Sequence, residues 1–210
     1  MNNRRTNLTK LCECAIMLAL ATALSYVVLW EMPYGGTVTL MSMLPILIVG
    51  YKNGLGWGLG TGLAFSLIQL LQGLSNFSYC QTAGAVIICT LFDYIIPFTV
   101  LGAVALFRPL DRKRHMLGFY VGTGTVIFIR FVCHFISGVT IWKQFAPEGM
   151  GAWLYSFVYQ ITYLLPELAL VLIGGALIFD SHARRILGID RDYANRKASA
   201  SDNKEDKSEK

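Results

Sequence analysis

The chain has 210 residues, of which 54% are hydrophobic and only 15% charged, and its formal net charge is +5. A soluble domain carries about a quarter charged residues, so this composition excludes an ordinary soluble fold. The charges gather before Glu13, between Arg108 and Arg114, and after Asp180; such clusters report orientation in a membrane rather than a nucleic-acid surface.

Between the clusters run apolar stretches of about 20 residues, enough to cross a hydrocarbon core of roughly 30 Å. The first span is expected over residues 8–30. Its apolar residues continue past Ala19-Leu20-Ala21, so a cleavable signal peptide is disfavoured. After the turn signal Glu31-Met32-Pro33-Tyr34-Gly35-Gly36 comes a shorter segment, 37–51, containing Pro45. A third helix, 55–71, is crowded with glycine: Gly54, Gly58 and Gly62 repeat every fourth residue, a spacing that lets helices approach closely in lipid. The loop 73–82 lacks Lys and Arg.

The fourth span, 83–107, is interrupted by Asp93-Tyr94 and Pro97, and a basic loop follows it. The fifth, 116–142, places Arg130, His134, Gly138 and Trp142 four residues apart, one stripe down one helix face. The sixth, 152–179, contains Pro166-Glu167. Residues 181–210 are charged and poor in large apolar side chains, and are expected to be disordered. These readings predict an all-α membrane domain over 1–180 with a polar tail. On alternate sides of six spans, one face receives Arg4, Arg5, Lys10, Lys52, Arg108, Arg112, Lys113, Arg114, Arg184 and Arg185, and the other only Lys143. Both termini are therefore expected in the cytoplasm.

Ionisable residues inside spans are costly and usually functional. Counting 1.5 Å per residue from the outer ends puts Asp93 at roughly 15 Å depth and His134 and Gln160 at roughly 12 Å. Tyr94, Trp142, Tyr155, Tyr159 and Tyr163 surround that level. Arg130 and Glu167 lie lower, at about 18 and 22 Å, and could neutralise one another. Asp93 is an alternative partner for Arg130, and a backbone carbonyl an alternative partner for His134. One carboxylate amid several aromatic faces suits a small, flat, cationic or amine-bearing heteroaromatic.

No phosphate-binding glycine loop, zinc-protease motif or serine-hydrolase motif is present. Cys133 beside His134 points about 100° away on a helix, so an enzyme is not expected. The five cysteines show no paired spacing. His115 and His182 cannot reach His134, and neither metal nor cofactor is expected.

Arg130-x-x-x-His134-Phe135-Ile136-Ser137-Gly138-x-x-x-Trp142 resembles the fifth-helix motif of the thiamine-specific substrate-binding (S) components of energy-coupling factor transporters. Leu91-Phe92-Asp93-Tyr94 with Pro97 and Leu101-Gly102 is similar to their fourth-helix motif. Tyr155-Ser156-Phe157-Val158-Tyr159-Gln160 and Tyr163-Leu164-Leu165-Pro166-Glu167 are similar to their sixth. Tyr34-Gly35-Gly36 and Leu44-Pro45-Ile46 match the first loop and second helix. The resemblance covers about residues 8–180 and implies capture of thiamine at a bacterial plasma membrane, without chemistry. It implies Asp93, Tyr94, His134, Trp142, Tyr155 and Gln160 as ligand contacts, supported by Arg130 and Gly138. In that setting Asp93 offsets the thiazolium or grips the aminopyrimidine, and Trp142 and His134 stack on the rings. It further implies a shared membrane coupling subunit and two ATPases as partners, docked on Ala15, Ala19 and Ala23 of the first helix. Two departures stand out: Gln160 replaces a frequent Asn, and Gly36 stands where some members carry an aromatic. The same fold tuned to another vitamin or a pyrimidine precursor is the competing reading.

Overall fold

The first apolar run forms α1 (Asn2–Ser25), which ends short of Trp30. This computed structural model describes residues 2–112 and 116–180. The expected tail and the middle of the basic loop lie outside the described residues. The chain divides into two units, Met1–Leu172 and Ile173–Lys210, and every site residue discussed below belongs to the first.

Residues expected to end the first helix and begin the second instead form a hairpin. β1 (Val28–Glu31) pairs antiparallel with β2 (Thr37–Thr39) around a 3-10 turn, Pro33–Gly35. The β-branched and aromatic residues Val28, Trp30, Thr37 and Val38 favour an extended chain over a helix. Pro33 and Gly35, the latter at φ +101°, supply the reversal. What remains of the second segment is α2 (Leu44–Asn53), whose residues Leu44 to Tyr51 are all buried. Ten residues rise about 15 Å, half a hydrocarbon core. The apolar signal of α2 therefore reflects burial by other helices as much as by lipid. Pro45 is harmless in its first turn, where no intrahelical donor is needed.

α3 (Leu55–Gln72) follows after a single residue, Gly54, at φ +105°. The fourth span is not one regular helix. α4 (Ala83–Ile88) passes into a π-helical stretch, Cys89–Ile95, then the short α5 (Ile96–Thr99) and a 3-10 stretch, Val100–Arg112. Pro97 has no amide hydrogen for the carbonyl of Asp93 four residues earlier, which favours rewinding at this point. The 3-10 stretch is long for its type and is held by packing. A Cβ on Gly102 would overlap the backbone of Gly58, and one on Gly58 would lie 2.6 Å from the Gly102 carbonyl and Gly50 Cα. Of the glycine repeat seen in the sequence, Gly58 sits in a three-way backbone crossing with Gly50 and Gly102, and Gly62 packs on the carbonyls of Phe98 and Thr99. α6 (Leu117–Thr140) and α7 (Ala152–Asp180) complete the fold.

Among the described residues, four helical segments are long and apolar enough to cross a membrane: Thr6–Ser25, Ala83–Asp111, Leu117–Thr140 and Ala152–Ile178. One end of the bundle is tied by polar contacts. Lys52 Nζ meets Glu13 Oε1 at 2.9 Å, and Arg108 donates to the Gly50 carbonyl at 2.7 Å. Tyr51 donates to Asp111, whose other oxygen accepts from the Gly118 amide at 2.8 Å.

Gly58→Ala is expected to destabilise the protein by about 1–3 kcal/mol through overpacking, read as a lower melting temperature in detergent. Gly56→Ala, facing open space on the same helix, should leave it unchanged.

Candidate binding site

At the chain-order ends opposite that polar tie, the hairpin, the ends of α1, α3 and α6, and the start of α7 surround a cavity of about 930 Å³. Small-molecule sites span roughly 300–1,000 Å³. Asp93, Tyr94, Arg130, His134, Gly138, Trp142, Tyr155 and Gln160, the residues singled out in the sequence, all line it.

Asp93 is the centre. It sits in the π-helical stretch, where a widened turn re-aims side chains, a placement common at functional sites. Its carboxylate accepts three hydrogen bonds: Ser137 Oγ at 2.6 Å, Trp142 Nε1 at 3.1 Å and His134 Nδ1 at 3.2 Å. The His134 bond has a defined sense. Arg130 Nε, which can only donate, lies 3.2 Å from His134 Nε2. Nε2 therefore presents its lone pair, and Nδ1 carries the proton toward Asp93. Of the alternatives the sequence left open, His134 bonds a carboxylate rather than a backbone carbonyl, and the acid beside Arg130 is Glu167 rather than Asp93.

Arg130 is instead 3.8 Å from Glu167 Oε2, stacks 4.4 Å from the Phe98 ring centroid, and points Nη1 at Met43 Sδ, 2.7 Å away. Glu167 is buried, and its Oε1 accepts from Thr39 Oγ1 at 2.9 Å. Arg130 thus pairs with Glu167, and among the described residues no Lys or Arg forms an ion pair with Asp93. Glu31 adds another carboxylate to the cavity wall. The arrangement favours a cationic occupant.

The helix carrying the predicted stripe ends at Thr140, so Trp142 belongs to a 3-10 turn, Trp142–Phe145, and not to the helix face. The bend delivers its indole N–H to Asp93, which a continued helix would not require. Gly138 lets α7 approach: a Cβ there would overlap Ser156 Oγ, which donates to the Phe135 carbonyl at 3.0 Å. That contact brings in Gln160, whose Nε2 donates to the His134 carbonyl at 3.1 Å. Gln160 Oε1 is buried without a hydrogen-bond partner among the described residues. Tyr155 and Tyr159 pack with ring centroids 5.8 Å apart.

Sequence reasoning missed the turn Leu74–Tyr79 as a site element. Asn76 donates to the Tyr94 hydroxyl at 2.9 Å, Phe77 stacks on the Tyr94 ring, and Tyr79 packs edge-on against Trp142. A loop without periodicity gave no signal beyond its density of aromatic and amide residues. All five cysteines are free, and no cluster of three or more metal-ligating side chains occurs among the described residues.

Fold and cavity together define a multi-pass membrane protein with a cavity of small-molecule size within its helix bundle. The chain belongs to the Thiamine transporter protein (Thia_YuaJ) family, whose model matches residues 11–186. It is 33% identical over 199 residues to the thiamine transporter ThiT of Bacillus subtilis, covering 90% of this chain and 99% of that protein. It is 28% identical to ThiT of Lacticaseibacillus paracasei over 70% of this chain and 74% of the relative. The solved structure of ThiT from Listeria monocytogenes superposes with a TM-score of 0.69 at 21% identity, over 85% of this chain and 97% of that one, and shares the fold.

Arg130→Met should destabilise the protein by about 3–5 kcal/mol by leaving Glu167 buried and unpaired. Adding Glu167→Leu should recover much of the loss, read as melting temperature in detergent.

Proposed function

We propose that this chain is the substrate-capturing subunit of a vitamin uptake system, binding thiamine from outside a bacterial plasma membrane without chemical turnover. The observation that carries the reading is the Asp93 carboxylate set among Tyr94, His134, Trp142 and Tyr155 in one cavity. A thiazolium is a flat cation, and a desolvated cation near aromatic faces gains about 2 kcal/mol. Three of Asp93's lone-pair sites are already occupied by Ser137, Trp142 and His134. The carboxylate therefore acts mainly as the counter-charge, able to accept about one further hydrogen bond. Gln160 Oε1 and the Tyr155 hydroxyl take the polar edge of the pyrimidine.

The topology that fits is six passes with both termini in the cytoplasm, the second pass made by the hairpin and α2. The tie among Glu13, Lys52, Arg108 and Asp111 marks the cytoplasmic end, and the cavity opens at the other. Uphill transport needs an energy source, and the described residues supply none by a nucleotide-binding loop. The partners are then a membrane coupling subunit and two ATPases of the energy-coupling factor type. Ala15, Ala19 and Ala23 are exposed on α1, flanked by exposed Leu11, Ile16 and Leu20. They are not spent on packing within the bundle, so a flat, apolar docking strip for a partner helix is available.

The test is a titration of intrinsic tryptophan fluorescence of the purified chain with thiamine, its phosphates and its pyrimidine precursor. Nanomolar thiamine binding without turnover supports the reading, and tighter binding of the neutral pyrimidine would favour the competing one. Asp93→Asn is expected to weaken thiamine binding at least tenfold, about 1.4 kcal/mol. Unchanged affinity would take Asp93 out of the site.

A further inference from the structure

We propose that Tyr159 fastens the tip of the β1–β2 hairpin to α7 and thereby sets how long the ligand stays bound, an inference that rests on the thiamine-binding reading. The hairpin forms one wall of the cavity, contributing Glu31, Met32, Gly36 and Thr39. A two-stranded ribbon is marginal by itself, and all of β1 is exposed. Its position is therefore decided by what β2 and the turn touch.

Among the described residues, two polar points hold it, both on α7. At the base, Thr39 Oγ1 donates to Glu167 Oε1 at 2.9 Å, with both residues buried, and Val38 packs with Tyr163 and Leu164. At the tip, the Tyr159 hydroxyl accepts from the Gly36 amide at 2.9 Å and donates to the Pro33 carbonyl. Tyr159 and Glu167 are two helical turns apart, about 12 Å along the axis. The two points differ in what breaking them costs. Opening the base strands a hydroxyl and a carboxylate away from water, whereas the groups at the partly exposed tip are rehydrated as they part. The tip is thus the part that peels, and the base is its hinge.

The fit at the tip is specific. A Cβ on Gly36 would lie 2.8 Å from the Tyr159 hydroxyl and 3.1 Å from its ring, so this backbone and this phenol can meet only through glycine. The Tyr159 ring is flanked by Tyr155 and Tyr163, with centroids 5.8 and 5.9 Å away, which holds the hydroxyl in place under the turn. Tyr159 is a positioning residue in this scheme: it holds the wall rather than the vitamin.

The experiment uses the full-length protein in detergent, loaded with radiolabelled thiamine and chased with excess unlabelled thiamine. Association is followed separately by stopped-flow tryptophan fluorescence. Tyr159→Phe keeps the ring and removes both tip bonds. It is expected to raise the dissociation rate by about tenfold while leaving the association rate within about twofold and the ligand-free melting temperature unchanged. Gly36→Ala, which keeps the phenol but forces it off the turn, should raise the dissociation rate in the same direction, and it decides the matter if the phenylalanine variant does not fold. A dissociation rate unchanged in a folded variant, or a loss confined to association, would overturn the proposal. Wild-type protein that binds no thiamine would remove the underlying reading and this proposal with it.

Discussion

An anionic side chain in the middle of an apolar helix is the constraint on which this structure depends. Burying a carboxylate costs several kcal/mol unless donors replace the lost water. Here Ser137, His134 and Trp142 replace it, all from α6 and the turn after it. Arg130 then fixes the imidazole so that its proton faces Asp93, and Glu167 balances Arg130. The result is a continuous chain of polar groups running from Asp93 through His134 and Arg130 to Glu167. A cation is the natural complement of the Asp93 carboxylate, and a neutral ligand would leave that charge unanswered.

This polar chain can exist only because backbones elsewhere come unusually close. Gly58 against Gly102 fixes the fourth span on α3, and Gly138 against Ser156 fixes α7 on α6. The first crossing places the π-helical stretch, and the second brings Gln160 beside the His134 carbonyl. Close packing by small residues is what helix bundles in lipid rely on, since the apolar surroundings give little drive to associate. Structural glycines and the polar residues of the cavity are thus two aspects of one design. The glycines set the distances at which the polar groups meet.

The wall of the cavity is built on a different principle. The hairpin is seated on α7 by Val38 against Tyr163 and Leu164 and by hydroxyl-mediated contacts at Thr39 and Tyr159. A wall held this way can move at one end without unfolding the bundle. Asp93 and Gly36 rest on different elements, the fourth span and the hairpin.

Much of this was legible in the sequence. The apolar runs gave a membrane protein and the approximate bounds of the four long apolar helices, because hydrophobic length against bilayer thickness is a property of the chain alone. Asp93, Arg130, His134 and Gln160 were legible because polar groups in apolar helices need a reason. The sequence could not show that residues 28–39 turn from helix to hairpin, since β-strand preference depends on what the strand packs against. Nor could it show that the fourth span rewinds at Asp93, that Trp142 reaches the carboxylate from outside the helix, or which acid Arg130 faces. Periodicity reports which side of a helix is apolar; distances between helices are set only when side chains from all of them compete for the same space. Pairing, depth of closure and the link between Tyr159 and Gly36 were therefore decided by the tertiary structure.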